Sequence, residues 1–419
     1  MSATSRRRPG SSARHPHRFY GFAWLAIGAL SAGTLAACGS SSASSTSGSS
    51  AGSKSTYTIH AILSLTGSES FLGDEERTAL MALQKHVNAT GGIDGHPLNF
   101  ALSDNQSTAS TSVALASPLL SQVPIIMVGS SASTDKPVDS LVKSTGPVIY
   151  DLSPGDHPAR GSFVYSASNS TTNQTKAFIT FAESKGWTKI AAITSTDGTG
   201  QDGWANIQAA AAASKGAVTI VDHETFDPTD VSVTTQLSKI KAKAPQALFV
   251  WTTGTPLGTV LKGMQQLSML STPTMTTNGN ASASELKGLK SDLPAQLYFP
   301  GAPFEAGTSA LPASLQAPVQ TFETTMKAAG EVRPDEGNAL SWDAGQILVA
   351  ALRKLGVNAT AAQIHKYISS LTDFAGINGT YNFTDKSIPD NRGLTLKSVY
   401  IAKWNSSQAN WAAVSGAGG

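Results

Sequence analysis

Gly198-Thr199-Gly200-Gln201-Asp202-Gly203 has the most suggestive spacing in the chain. A G-x-G-x-x-G turn that follows a strand and opens a helix lets a pyrophosphate approach the backbone, and Asp222, closing the next strand, stands where a ribose-binding acid would stand. Two features oppose an exported NAD-dependent oxidoreductase. Ser195-Thr196-Asp197 separates the apolar strand from the first glycine, and Asp197 would set a carboxylate beside the pyrophosphate. What remains is a glycine-rich helix start whose free N–H groups can meet a ligand oxygen. A second set, Ser133-Thr134-Asp135-Lys136 with Ser103-Asp104-Asn105 and Lys143-Ser144-Thr145-Gly146, has the residue types of a serine nucleophile beside a lysine. Its order is wrong for that chemistry, because the S-D-N element precedes the serine and the last element carries an extra residue.

The histidines of the body are His60, His86, His96, His157, His223 and His365. No two are three or four apart, and none neighbours the single cysteine, Cys38, so no metal site is expected. His157, beside Asp156 and after Ser153-Pro154-Gly155, is the histidine placed to face a cleft. Phe178, Phe181, Trp251 and Trp342 read as core, whereas Phe71 and Leu72, on the loop before the first helix, read as an apolar wall.

These residues need a scaffold, and the apolar pattern predicts one. Short strands are expected at Tyr57–Leu63, Leu98–Leu102, Ile125–Val128 and Val148–Leu152, then again at Lys189–Thr194, Val218–Val221, Ala247–Trp251 and Thr274–Thr276, with amphipathic segments between them. A helix begins near Gly73, two long helices cover 317–329 and 338–355, and Thr380–Phe383 and Lys397–Trp404 read as further strands. Two successive open parallel sheets imply two lobes, and ligands of such sheets bind beyond the carboxyl ends of the strands. Those ends carry Ser64-Leu65-Thr66, Gly129-Ser130-Ser131, Ser153-Pro154-Gly155, Ser195-Thr196-Asp197, Thr252-Thr253-Gly254 and Thr277-Asn278-Gly279. Any one of them is also an ordinary helix cap or turn. Six together, with few acids, fit a polar cleft that binds without chemistry, so no catalytic residue and no cofactor are expected.

Composition agrees with an α/β body: 419 residues, 40% hydrophobic and 14% charged, with 38 Gly and 20 Pro, suggest two or three domains. Lys and Arg number 30 against 28 Asp and Glu, but Arg6, Arg7, Arg8, Arg14 and Arg18 all precede the first acid, Glu69. Without those five, 25 face 28, and a body with no basic stripe is not expected to bind nucleic acid. The arginines lead into an uncharged stretch, Phe19 to Ala37, ending Leu35-Ala36-Ala37-Cys38. This is a signal peptide by pattern, although its length also permits an uncleaved membrane anchor. From Gly39 to Ser55, ten of seventeen residues are serine, a flexible tether of about 20–25 Å.

The leader resembles that of bacterial lipoproteins, which implies lipidation of Cys38 and a body held at the extracytoplasmic face of the membrane. The body, from Tyr57 to Trp404, resembles periplasmic binding proteins of the branched-chain amino-acid type, the receptors of ATP-driven importers. The resemblance rests on Leu65-Thr66-Gly67 with Gly73, NATGGIDGHPLNFALSDNQS from Asn88, LSPG from Leu152, KGWTKIAAI from Lys185 and DFAGINGTYNF from Asp373. It implies two doubly wound lobes joined by three crossings, near Asn169, Pro300 and Gly376. The expected organisation is a leader at 1–37, a lipidated tether at 38–56, lobe 1 at 57–169 plus 301–376, and lobe 2 at 170–300 plus 377–412.

Matching positions imply that Ser131, Ser153, Gly155 and Asp156 hold a ligand carboxylate or its equivalent, with Leu72 nearby. The second lobe would contribute Thr199, Thr253, Gly254, Thr255, Thr276 and Asn278. The implied partners are a small polar solute and a permease with its ATPase, the receptor acting as a monomer. A sensory lipoprotein on the same fold is the alternative. Two departures bear on the solute: Thr199 replaces an aromatic residue, and Thr276 stands where amino-acid receptors place an acid against the ammonium. An unpaired buried ammonium is costly, so a neutral or anionic solute is expected in place of an ordinary α-amino acid.

Overall fold

A computed structural model describes residues 54–306, 311–331, 333–416 and 418. Cys38, the leader and most of the tether lie outside the described residues. Among those described, no helix is long and apolar enough to cross a membrane.

The first half alternates strand and helix: β1 Tyr57–Leu63, α1 Ser70–Ala89, β2 Leu98–Asp104, α2 Ala109–Leu119, β3 Ile125–Val128, α3 Ala132–Asp139, β4 Val148–Asp151 and β5 Val164–Ser166. All five strands are parallel, in the order β2-β1-β3-β4-β5. The cycle restarts with α4 Thr171–Ser184, β6 Lys189–Ser195, α5 Gly198–Ala213, β7 Thr219–Phe226, α6 Thr234–Ala242, β8 Ala247–Trp251, α7 Thr255–Gln266, β9 Thr274–Thr276, α8 Ala283–Gly288 and β10 Leu297–Gly301. There follow α9 Ala313–Ala328, α10 Glu336–Leu355, α11 Ala361–Ser369, a hairpin of β11 Phe374–Ala375 and β12 Thr380–Tyr381, then β13 Tyr400–Asn405 and β14 Asn410–Ala413. The second sheet runs β14-β13-β10-β9-β8-β6-β7.

Both sheets sit beneath helices, so their central strands are continuous apolar runs such as Ile125-Ile126-Met127-Val128 and Ala247-Leu248-Phe249-Val250-Trp251, buried along their whole length. The second sheet departs from the all-parallel expectation. β13 pairs antiparallel with β10, and β14 antiparallel with β13. A hairpin can close that edge because β13 and β14 are joined by a short turn, whereas a parallel neighbour needs a long crossover.

One core gathers residues from β1–β5, α1, α9, α10 and α11, and the second sheet's two faces carry cores of their own. The third crossing lies later than the expected Gly376. Ile377, Tyr381, Phe383 and Leu394 pack in the first core, and Val399 and Ile401 in the core of the second sheet. The Gly-Ile-Asn-Gly run that reads as a linker is the turn of the β11–β12 hairpin, held by α10: the backbone N–H groups of Ile377 and Asn378 donate to Asp343 at 3.0 and 2.9 Å. The Tyr381 hydroxyl donates to the same carboxylate at 2.8 Å. The segment around Pro300, expected as a bare crossing, is strand β10, and the chain enters the first core at Ala302 and Phe304 immediately after it.

Candidate functional site

The two sheets present their carboxyl ends to one another, and the polar turns of both meet at a single small cavity. Its lining is Ser130, Ser131, Ala132, Ser153, Pro154 and Gly155 on one side, and Thr171, Thr199, Trp251, Thr253, Thr277 and Gly279 on the other. Its volume is about 10 Å³, the room of about one water molecule, so the lobes are closed on each other. Four helix starts converge here: Ser131 precedes α3, Ser170 caps α4, Asp197 caps α5 and Gly254 precedes α7. Each brings first-turn N–H groups that no intrahelical carbonyl can satisfy. Two hydroxyls of the lining, Ser131 Oγ and Thr199 Oγ1, are buried with no hydrogen-bond partner, one from each lobe.

Five of the expected residues line the cavity: Ser131, Ser153, Gly155, Thr199 and Thr253. Six do not. Leu72 is buried beside the contact, its Cδ2 3.7 Å from where a Cβ on Gly279 would lie. Asp156 turns to the interior of the first lobe with both carboxylate oxygens buried and unpartnered. Thr255 is exposed and offers its backbone N–H, not its hydroxyl, to Ser68 O at 3.0 Å. Gly254 lies at that same contact, with φ +88° and no room for a side chain. Thr276 Oγ1 accepts from Asn280 Nδ2 at 2.8 Å, which leaves Thr277 as the residue facing the cavity. Asn278 reaches across the lobes, its Nδ2 donating to Glu336 Oε1 at 2.8 Å. Trp251, expected as core alone, is 1% exposed and also walls the cavity. A strand-terminal tryptophan is marked in sequence only by the glycine it packs on. A Cβ on Gly203 would lie 2.0 Å from Trp251 Cδ1.

The glycines of the G-x-G-x-x-G turn therefore answer to neighbours. Gly200 approaches Ser195 at the strand-to-helix turn, Gly203 admits the indole, and Gly198 faces Ala132 and Ser133 across the gap, where an added Cβ would be 3.2 Å from Ala132 O. Close approach between lobes and within the turn accounts for all three without a pyrophosphate.

Acids crowd the surroundings, contrary to the expectation of few. Burial pushes Glu69 up to about 7, against the hydrogen bond that Ser64 Oγ donates to its Oε2 at 3.1 Å. Burial likewise raises Glu76, whose Oε2 accepts from Ser130 Oγ. Between the lobes, burial carries Glu336 to about 7 and Asp335 to about 6, the latter accepting from Ala283 N at 2.7 Å. At the rim, His157 Nε2 meets Asp202 Oδ1 at 2.7 Å, with Lys136 Nζ 3.6 Å from the same oxygen. Burial alone would lower the His157 pKa, but the bonds to Asp202 and Asp390 carry it above its ordinary value. Burial alone would raise Asp202, yet His157 and Lys136 hold it low. This is a charged latch across the cleft, on the histidine that the sequence places there.

A family model described as "Periplasmic binding protein" matches residues 56–409. No curated protein matches. Among solved structures, an extracellular ligand-binding receptor from Rhodopseudomonas palustris HaA2 is 21% identical, with a TM-score of 0.74 over 86% of this chain and 100% of that one. The branched-chain amino acid transporter substrate-binding protein LivJ from Streptococcus pneumoniae, in complex with isoleucine, is 17% identical with a TM-score of 0.70 over 86% and 99%. A solute-binding protein of an ABC transporter from R. palustris, in complex with benzoate, is 15% identical with a TM-score of 0.70 over 86% and 96%. At these identities the likeness is one of fold.

Proposed function

Because the chain belongs to the periplasmic binding protein family, we propose that it captures a small polar organic solute, amino-acid-like or a carboxylate, between its lobes and delivers it unchanged to an ABC importer. The observation that carries this reading is the pair of buried, unpartnered hydroxyls, Ser131 Oγ and Thr199 Oγ1, set at helix starts of opposite lobes around one cavity. A buried hydroxyl without a partner is costly, and a solute oxygen held between two helix N-termini would satisfy both. The isoleucine and benzoate of the solved neighbours each carry a carboxylate, the group such a cradle suits.

The solute we favour is neutral or anionic. Thr276 is committed to Asn280, and burial holds Glu69 and Glu336 towards neutrality, so an ammonium would find no fixed counter-charge. In this reading Cys38 is lipidated, the body stands as a monomer on the extracytoplasmic face, and Leu72 and Phe71 shape the apolar edge of the opened cleft. Thermal melting against a panel of small carboxylates, followed by calorimetry on those that stabilise the protein, tests it, since any native-state ligand raises stability by mass action. Tight binding of leucine or valine would overturn the solute class, and turnover of any bound compound would overturn the binding role.

A further inference from the structure

Behind the cavity wall, on the side of the first sheet, Asp135 of α3, Asp151 at the end of β4 and Asp156 of the following turn converge. One carboxylate oxygen from each lies within 4.8 Å of the others, and all three residues are fully buried. Only Asp135 is satisfied by the protein, accepting from Ser153 N at 3.2 Å and from Thr134 Oγ1 at 3.1 Å. No donor of the protein reaches either oxygen of Asp151 or of Asp156, nor Oδ1 of Asp139, one helical turn beyond Asp135, and the Asp139 and Asp151 carboxyls face each other within hydrogen-bonding reach.

The nearby cations are spent elsewhere. Arg392 donates to Ser166 Oγ, Ser168 O and Oγ, the carbonyl oxygens of Pro154 and Asp156, and Asp390 Oδ2, and gives nothing to the carboxylates of Asp151 or Asp156. Lys136 and His157 point to Asp202. Four buried carboxylate oxygens with no donor demand either protons or a cation, because an isolated buried carboxylate is too costly to stand alone.

We propose that Asp135, Asp151 and Asp156 bind a hard divalent cation of the calcium type. Hard cations take carboxylate oxygens, and calcium–oxygen distances of about 2.3–2.6 Å allow oxygens up to about 4.6–5.2 Å apart, which a set lying within 4.8 Å satisfies, whereas magnesium demands near-ideal octahedral geometry, gives up its waters reluctantly and suits a buried all-carboxylate set less. The ion would tie α3 to the turn after β4, the two segments that supply Ser131, Ser153 and Gly155 to the cavity, and it does so whatever solute the cavity takes.

The test is thermal melting and calorimetry of the EDTA-treated full protein with calcium chloride and with magnesium chloride, beside the D151N and D156N variants and the exposed-acid control D373N. Calcium at about a hundredfold excess over its Kd should raise Tm by at least about 3 °C in the parent and in D373N, with a smaller effect from magnesium and none in D151N or D156N. Because asparagine removes a buried charge and keeps the shape, both variants are expected to fold. Two results would overturn the proposal: no calcium response in the parent, with D151N melting higher at neutral pH, which means the cluster holds only protons; or the same response in parent and variants, which places the ion elsewhere.

Discussion

Replacing Gly254 by alanine separates the energetics of the fold from those of closure. Gly254 has φ +88° and ψ −157°, a conformation almost confined to glycine that costs an L-residue about 1–3 kcal/mol. That cost is incurred whether the lobes are together or apart, so it lowers Tm and leaves affinity alone. The second effect exists only when the lobes meet. A methyl group on Gly254 would lie 2.4 Å from Ser68 O, and the next residue's N–H donates to that same oxygen at 3.0 Å. Losing that hydrogen bond is worth about 1 kcal/mol, and the backbone shift that relieves the overlap in a packed contact adds about 1–2 kcal/mol. Closure is then opposed by about 2–3 kcal/mol, which is about a 30- to 150-fold weaker grip on the solute. Calorimetry with a carboxylate that binds the parent reads the affinity, thermal melting reads the fold, and small-angle scattering reads the separation of the lobes. A G254A protein that melts lower yet binds as tightly as the parent would refute the assignment of this contact to closure.

The same contact surface yields three further expectations. The His157 pKa lies above its ordinary 6.5, so its share of the latch is complete below 6.5 and fades as pH rises through the raised value, while Asp202, held below 3.8, keeps its share down past 3.8; the latch is strongest between those two values. Solute affinity of the parent should therefore fall as pH climbs above 6.5, and D202N should flatten that profile in calorimetry across a pH series. T199V and S131A remove hydroxyls that have no partner in the protein, so neither should lower Tm in the absence of solute, yet each should weaken solute binding by about tenfold, the worth of one hydrogen bond to a charged group. R392M should cost about 3–5 kcal/mol in urea unfolding, because Arg392 is fully buried and its loss strands the carbonyls of Pro154, Asp156 and Ser168.

Alternation of apolar runs with turn residues is a local property, and it locates β1, β3, β8 and β9 at the residues where they occur. β7 runs on to Phe226, five residues past the expected end, because Asp222, His223 and Glu224 sit on an edge strand where polar side chains reach solvent and break the apolar pattern. β5 and β14 are short edge strands whose Val-Tyr-Ser and Asn-Trp-Ala-Ala carry no periodic signal of their own. The third crossing illustrates the other limit. Gly376 and Gly379 read as a linker, and only the Asp343 carboxylate, more than thirty residues away, turns that segment into a hairpin of the first core.

At the site, what could be read was the chemistry of strand ends, and what could not was which atom of each end faces inward. Thr276 and Thr277 are adjacent hydroxyls at the end of one strand, and the alternation of side chains decides that one supports Asn280 while the other meets the cavity. Asp156 is drawn inward by the same logic, since its backbone carbonyl is anchored on Arg392 and its carboxylate falls among Asp135 and Asp151. The glycine-rich turn shows how a motif can report geometry without naming a ligand. Glycine at 198, 200 and 203 is demanded by a facing lobe, a strand carbonyl and an indole, three contacts that any closely packed strand-to-helix turn at a lobe boundary would generate. A nucleotide adds nothing to that demand, so the spacing by itself reports close approach of backbone, and the nature of the guest has to be read from the hydroxyls left without partners.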